Sequence, residues 1–106
     1  VNSNVRIGGA SMVTGGVRIS RDVPPFIVAT DNPVRYGGVN ETLLKSSGTT
    51  DKVIGHIANA YRLVFHGQTS VFDAVIQIKE QVPEGKEVNA IIKFIKGTQL
   101  GIIGKI

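Results

Sequence analysis

Cysteine is absent from the 106 residues, and so is tryptophan. The first absence removes disulfides, thiolate nucleophiles and zinc–thiolate sites together, and it suits a cytosolic protein. Aromatic residues are few, two Tyr and four Phe, so there is little to stack on bases. No run of Lys or Arg tracks a phosphate backbone, and nucleic acid is not an expected partner. No stretch approaches the ~18 continuous apolar residues of a membrane span. No charged-then-apolar segment reads as a secretory signal. His56 and His66 are the only histidines; ten residues apart on one helix, they take different heights and faces, and no metal site is expected. Neither G-x-G-x-x-G nor G-x-x-x-x-G-K-[ST] occurs. The formal net charge of +4 suits a phosphorylated ligand or an acidic carrier protein as well as it suits a plain solvated surface.

What is present begins with a period of six. Val1, Ile7, Val13 and Ile19 lead four hexads, with Val5, Ser11, Val17 and Val23 in the fifth place and mostly small or polar residues between. Neither a helix nor an amphipathic strand repeats in sixes. A coil that turns a corner every hexad does, because one aliphatic side chain per short strand then points down a shared axis. Gly8-Gly9 and Gly15-Gly16 suit such corners, where side-chain room is scarce. The pattern predicts a left-handed parallel β-helix of three hexads per turn. It is already running at residue 1, which is Val, so the chain reads as the tail of a longer array. Arg6, Arg18 and Arg21 fall outward by hexad position.

Residues 1–25 are therefore expected as coils that end at Pro24-Pro25, where two backbone donors are lost. Residues 26–48 are expected as an irregular connector, with extended pieces at Phe26–Thr30 and Val34–Tyr36 and one helical turn at Thr42–Lys45. The period then becomes helical. Ile54, Ile57, Ala58, Tyr61, Val64 and Phe65 share one face of a helix capped by Thr49 or Thr50 and ended at Gly67. Ser70-Val-Phe-Asp73 opens a second helix with a capping-box pattern, with Val71, Val75 and Ile78 on one face and Pro83 beyond its end. A third spans about Lys86–Lys96, with Val88, Ile91, Ile92 and Ile95 inward. Residues 49–106 thus form a small three-helix domain with antiparallel neighbours, and the apolar tail Leu100–Ile103 is expected to pack on a helix or a neighbouring subunit. The fold class is β + α.

Hexads followed by Asp22-Val-Pro-Pro-Phe26, Gly38-Val-Asn40, Asn59-Ala-Tyr-Arg62 and the tail Phe94–Ile103 resemble the C-terminal part of the acyl-(acyl carrier protein)–UDP-N-acetylglucosamine O-acyltransferase family. The resemblance implies a cytoplasmic homotrimer with clefts between subunits. It implies transfer of a 3-hydroxyacyl chain from acyl carrier protein to UDP-N-acetylglucosamine, in lipid A synthesis. No cofactor is implied, since the acyl group arrives on the phosphopantetheine of the carrier. The family's general base, a His on an upstream coil, has no counterpart here, so no catalytic residue is assigned and this chain alone is expected to be inactive.

Asn40 matches the family asparagine that helps to hold the sugar nucleotide. Two positions on, Thr42 stands where the family usually has Glu, with Glu41 beside it and directed elsewhere. Of a family Lys-Arg-Arg only Lys45 remains, followed by Ser46 and Ser47; Asn2 and Ser3 stand where His-Gln often occurs. Asn40, and more weakly Glu41, Thr42 and Lys45, are the substrate-binding candidates. Two other functions fit these departures. One is a non-catalytic module for trimerisation or carrier docking; the other is a divergent hexapeptide transferase for another nucleotide sugar.

Overall fold

A computed structural model describes residues 5–14, 21–30, 35–67, 70–98 and 101–103. Val1, Val17, Ile19, Arg18, Gly15-Gly16, Asn2, Ser3 and Leu100 lie outside the described residues.

The small, glycine-rich start does form stacked coil. Strand β1 (Met12–Val13) pairs in parallel with β2 (Ile27–Thr30), Met12 opposite Val28. An isolated parallel bridge joins Ile7 to Val23. Each layer rises by sixteen residues, as Thr14 against Thr30 also shows, two short of three full hexads. Both corners take left-handed backbone without glycine, at Ala10 (φ 59°) and Phe26 (φ 71°).

Stacking does not stop at the proline pair. Val23 N–H donates to Arg6 O at 2.9 Å and Phe26 N–H to Gly9 O at 2.9 Å. Pro24 and Pro25 stand between those two donors, in a corner where no N–H is called for, so their missing hydrogens cost nothing. Gly8 makes the corner possible: a Cβ there would lie 2.6 Å from the Pro25 Cα.

Residues 26–48 carry more regular structure than an irregular connector. Strand β3 (Arg35–Val39) returns antiparallel along β2 with an irregularity between Ile27 and Ala29, giving the order β1-β2-β3. Ile27 and Ala29 alternate inward, which pins the register. Helix α1 (Glu41–Ser46) follows, one residue longer at each end than the expected Thr42–Lys45.

Three longer helices complete the chain: α2 (Asp51–Phe65), α3 (Val71–Gln81) and α4 (Lys86–Lys96). Thr50 Oγ1 accepts from Val53 N–H and Ser70 Oγ from Asp73 N–H, so two orphan donors are capped as the sequence predicts. Helix α2 ends at Phe65 with His66 as its cap, short of Gly67. Val88, Ile91, Ile92 and Ile95 are all buried. On α2 the stripe is displaced: Ala58 is exposed, while Ala60 and Leu63 are buried. Sheet residues Val23, Ile27 and Ala29 and helix residues Ile57, Tyr61 and Ile91 belong to one core.

The tail pairs its backbone with the coil, and its isoleucines join the core that the helices share. Ile102 bridges Asp22 in parallel, Asp22 N–H donates to Gly101 O at 2.8 Å, and Ile103 N–H donates to Asp22 O at 3.0 Å. Ile102 and Ile103 are fully buried. Ile7 is 45% exposed, which departs from an axis-pointing hexad lead. The Val23 layer bridges it on one side.

Candidate functional site

Asn40 sits where β3 ends and α1 begins, and nearly everything about it is spoken for. Its N–H donates to Phe26 O at 2.7 Å and its carbonyl accepts from Leu44 N–H at 3.2 Å. Its side-chain Nδ2 donates to Ala10 O at 3.2 Å, thirty residues away. One residue therefore ties both left-handed corners, Ala10 and Phe26, to the first turn of α1. Asn40 occupies the N-cap position without making a side-chain cap. The buried amide keeps Oδ1 unused among the described residues. Gly38, at φ 109°, supplies the turn of backbone that brings Asn40 over the corners.

Beside this clasp lies an open groove of about 650 Å³. Asn40, Glu41 and Thr42 line it together, so three of the four candidates converge. Glu41 lines it too, where the sequence reading directed that side chain elsewhere: the first turn of α1 presents positions 41 and 42 side by side on its open flank. Lys45 does not line it. It is exposed in the last turn of α1, about one helical turn beyond Glu41, where it favours the carbonyl end of the dipole.

The groove has members that the sequence did not announce. Ser11 contributes, but its hydroxyl donates to Pro24 O at 2.6 Å; in the sequence it stands only as the fifth residue of a hexad. Ser46 lines the groove and Ser47 does not, yet both hydroxyls donate to Leu43 O at 2.9 Å. Exposed Met12 and Leu43 form apolar walls. No pattern in the local sequence could have joined Met12 to Leu43; coil stacking does.

A second set of contacts holds the scaffold behind the groove. Asp22 is 1% exposed. Its Oδ1 accepts from Arg6 N–H at 2.8 Å and its Oδ2 from the Thr98 hydroxyl at 2.6 Å, with Arg6 Nε 3.5 Å away. The outward Arg6 is thus engaged: Nη2 donates to Phe94 O at 2.8 Å and the guanidinium lies 4.3 Å over the Phe94 ring. Opposite, Tyr36 stacks on Phe65 at 4.3 Å between ring centres, and Tyr61 donates its buried hydroxyl to Pro25 O at 2.6 Å. Burial pushes the Tyr36 phenol up and the Tyr61 phenol well up, with the neighbouring Tyr36 adding to the latter.

A smaller hollow of about 340 Å³ between α3 and α4 takes none of the candidate residues. Among the described residues no three His, Cys, Asp or Glu are placed to hold a metal ion. Among the described residues no helix is long and apolar enough to cross a membrane.

A family model described as UDP N-acetylglucosamine O-acyltransferase, domain 2, matches residues 22–103. An acyl-(acyl carrier protein)–UDP-N-acetylglucosamine O-acyltransferase of Paraburkholderia phymatum is 34% identical over 97% of this chain. Of solved structures, a UDP-N-acetylglucosamine acyltransferase of Bacteroides fragilis superposes with a TM-score of 0.94 at 35% identity, over 96% of this chain. An Acinetobacter baumannii structure reaches 0.91 at 27% identity. The chain spans about two fifths of the length of these relatives. The fold is accordingly the end of a left-handed parallel β-helix followed by a small helical domain.

Proposed function

The chain belongs to the UDP-N-acetylglucosamine O-acyltransferase family, and from that premise we propose that it is the C-terminal part of an enzyme that moves a 3-hydroxyacyl chain from acyl carrier protein to UDP-N-acetylglucosamine, a step of lipid A synthesis. The acceptor end of the reaction is the part this chain serves. The observation that carries the reading is the convergence of Asn40, Glu41 and Thr42 on one groove, inside the segment that the family model matches. Asn40 meets the sugar nucleotide through Oδ1, which no described residue engages, while one Nδ2 N–H is given to Ala10 O. Lys45, outside the groove, meets a phosphate or the carrier protein. The carrier brings the acyl group, so the chemistry needs no further cofactor, and the subunits assemble as trimers in the cytoplasm.

The test is a heat-denaturation titration of the chain with UDP-N-acetylglucosamine. Ligand at a hundred times its Kd stabilises by about 2.7 kcal/mol. A rise in Tm that Asn40→Leu, which removes Oδ1, reduces supports the reading. No rise with this nucleotide sugar, and a rise with another, identifies a divergent transferase instead.

A second reading has its own observation. Ser46 and Ser47 both turn back onto Leu43 O, so the end of α1 offers Lys45 as its only cation. That suits a trimerisation or carrier-docking module without turnover. It predicts trimers that bind acyl carrier protein and are indifferent to every nucleotide sugar.

A further inference from the structure

The hollow between α3 and α4 is built differently from the groove. Its floor is aliphatic: Ile78, Val82, Val88 and Ile92 all belong to the core. Its rim is polar, with Lys79, Glu84 and Asn89. At about 340 Å³ it lies at the small end of the ~300–1,000 Å³ of ligand pockets. Lys96 stands next to it. Val88, Ile92 and Lys96 follow one another at steps of four along α4, so the lysine continues the flank that supplies the floor. Its side chain meets that of Lys79 from the neighbouring helix; the hydrogen bond between them, and then the Lys79 charge, hold Lys96 below its ordinary 10.5. Among the described residues neither lysine has an acidic partner. Two ammonium groups that face each other repel, and an anion seated between them removes the repulsion.

From the cavity and its rim we propose that the hollow is a binding site for a small amphiphilic anion, a short aliphatic chain that ends in a carboxylate. The chain lies on Val82, Val88 and Ile92, and its two carboxylate oxygens accept from the Lys79 and Lys96 ammonium groups. Asn89 offers its amide N–H as a further donor. Glu84 stands in the loop that joins α3 to α4 and turns a negative head away from that side, toward the lysines. A partner's helix, about 10–12 Å across with its side chains, is too broad for a hollow of this volume, so the occupant is a single chain. The hollow shares no lining residue with the groove, and the proposal stands or falls independently of the acyltransferase reading.

Butanoate, hexanoate and octanoate are the probes, with octanol and octylammonium as controls, each titrated into the isotope-labelled chain and followed by amide chemical shifts. The amides of Val82, Val88 and Ile92 should move with octanoate, and those of Met12 and Leu43 in the groove should not. Each methylene that enters the floor tightens binding by up to about fourfold, until the hollow is full. Lys79→Gln and Lys96→Gln each weaken octanoate by roughly two- to threefold, an effect that fades as salt rises, and leave octanol unchanged. Both positions are exposed, and an unchanged thermal melt confirms the fold. The proposal is overturned by silence of those three amides at millimolar octanoate, by octylammonium binding as tightly as octanoate, by equal binding of butanoate and octanoate, or by either lysine substitution leaving octanoate untouched. A signal that vanishes as the protein concentration rises overturns it too, since a second copy then covers the hollow.

Discussion

Replacing Asp22 by Ala separates three parts of the chain at once. The carboxylate joins the first coil layer through Arg6 N–H, the segment after α4 through the Thr98 hydroxyl, and its own backbone carries the tail through Gly101 and Ile103. Asp22→Ala leaves the backbone bonds possible and strands two donors. A buried donor without a partner costs about 1–3 kcal/mol. Both donors here are part-buried, so water relieves some of that, and the lower half of the range applies to each. The Arg6 ion pair is long at 3.5 Å and its cation is 47% exposed, which limits it to about 0–1 kcal/mol. The sum is a loss of roughly 2–5 kcal/mol, a large share of the ~5–15 kcal/mol that holds a domain together.

Asp22→Asn discriminates between charge and geometry. The amide oxygen can keep the Arg6 N–H, and the Thr98 hydroxyl can rotate to accept from the amide nitrogen. The cost then falls to about 1 kcal/mol. Urea unfolding with an unchanged m-value reads both variants, and hydrogen exchange at Ile103 N–H, which donates to Asp22 O, reads the tail directly. Asp22→Ala within about 0.5 kcal/mol of the parent, the scatter of an inert surface change, would refute the argument. So would equal losses in the Ala and Asn variants, since that would make the carboxyl's hydrogen bonds irrelevant.

Three further outcomes follow from the same geometry. Tyr61→Phe keeps the ring among Tyr36 and Phe65 but orphans the Pro25 carbonyl; a loss of about 1–3 kcal/mol is expected in urea unfolding, and none would show that water replaces the hydroxyl. Because burial raises the Tyr61 phenol above its ordinary 10.0, the unfolded chain releases this proton first. Its contribution is full below about pH 10 and is lost as pH rises through the folded value, so the parent's stability falls in alkali more steeply than that of Tyr61→Phe; parallel curves would contradict this. Gly8→Ala drives a methyl into the Pro25 backbone, and about 1–3 kcal/mol should be lost in thermal melts, whereas Gly9→Ala, with nothing within 4 Å of the new carbon, is the near-neutral control.

The helices were legible because what makes them is local. Thr50 and Ser70 cap within three residues, and the α4 stripe at Val88, Ile91, Ile92 and Ile95 faces the core from one side only. Helix α2 is flanked by α3 and α4 and also by β3 and α1. A helix covered on two sides needs a broader apolar surface than one stripe, which is why Ala60 and Leu63 went unread and Ala58 was placed wrongly. Pro24-Pro25 misled for a different reason. A proline ends a strand only where its N–H is wanted, and whether it is wanted depends on a layer sixteen residues away.

The groove shows the same limit at the functional level. Asn40 could be singled out as a type in a motif, but its bond to Ala10 spans thirty residues and leaves no local trace. That bond changes the chemistry. An asparagine with both ends free can donate to a phosphate or accept from a sugar. One that gives an amide N–H to a backbone corner keeps a second N–H and its oxygen, but holds both in a fixed direction. Ser11 and Ser46 lose their hydroxyl donors in the same way, to the Pro24 and Leu43 carbonyls. The scaffold that builds the groove thereby takes up the Ser11 and Ser46 hydroxyl donors and one Asn40 N–H, so how the corners are closed limits what the groove has left to offer a ligand.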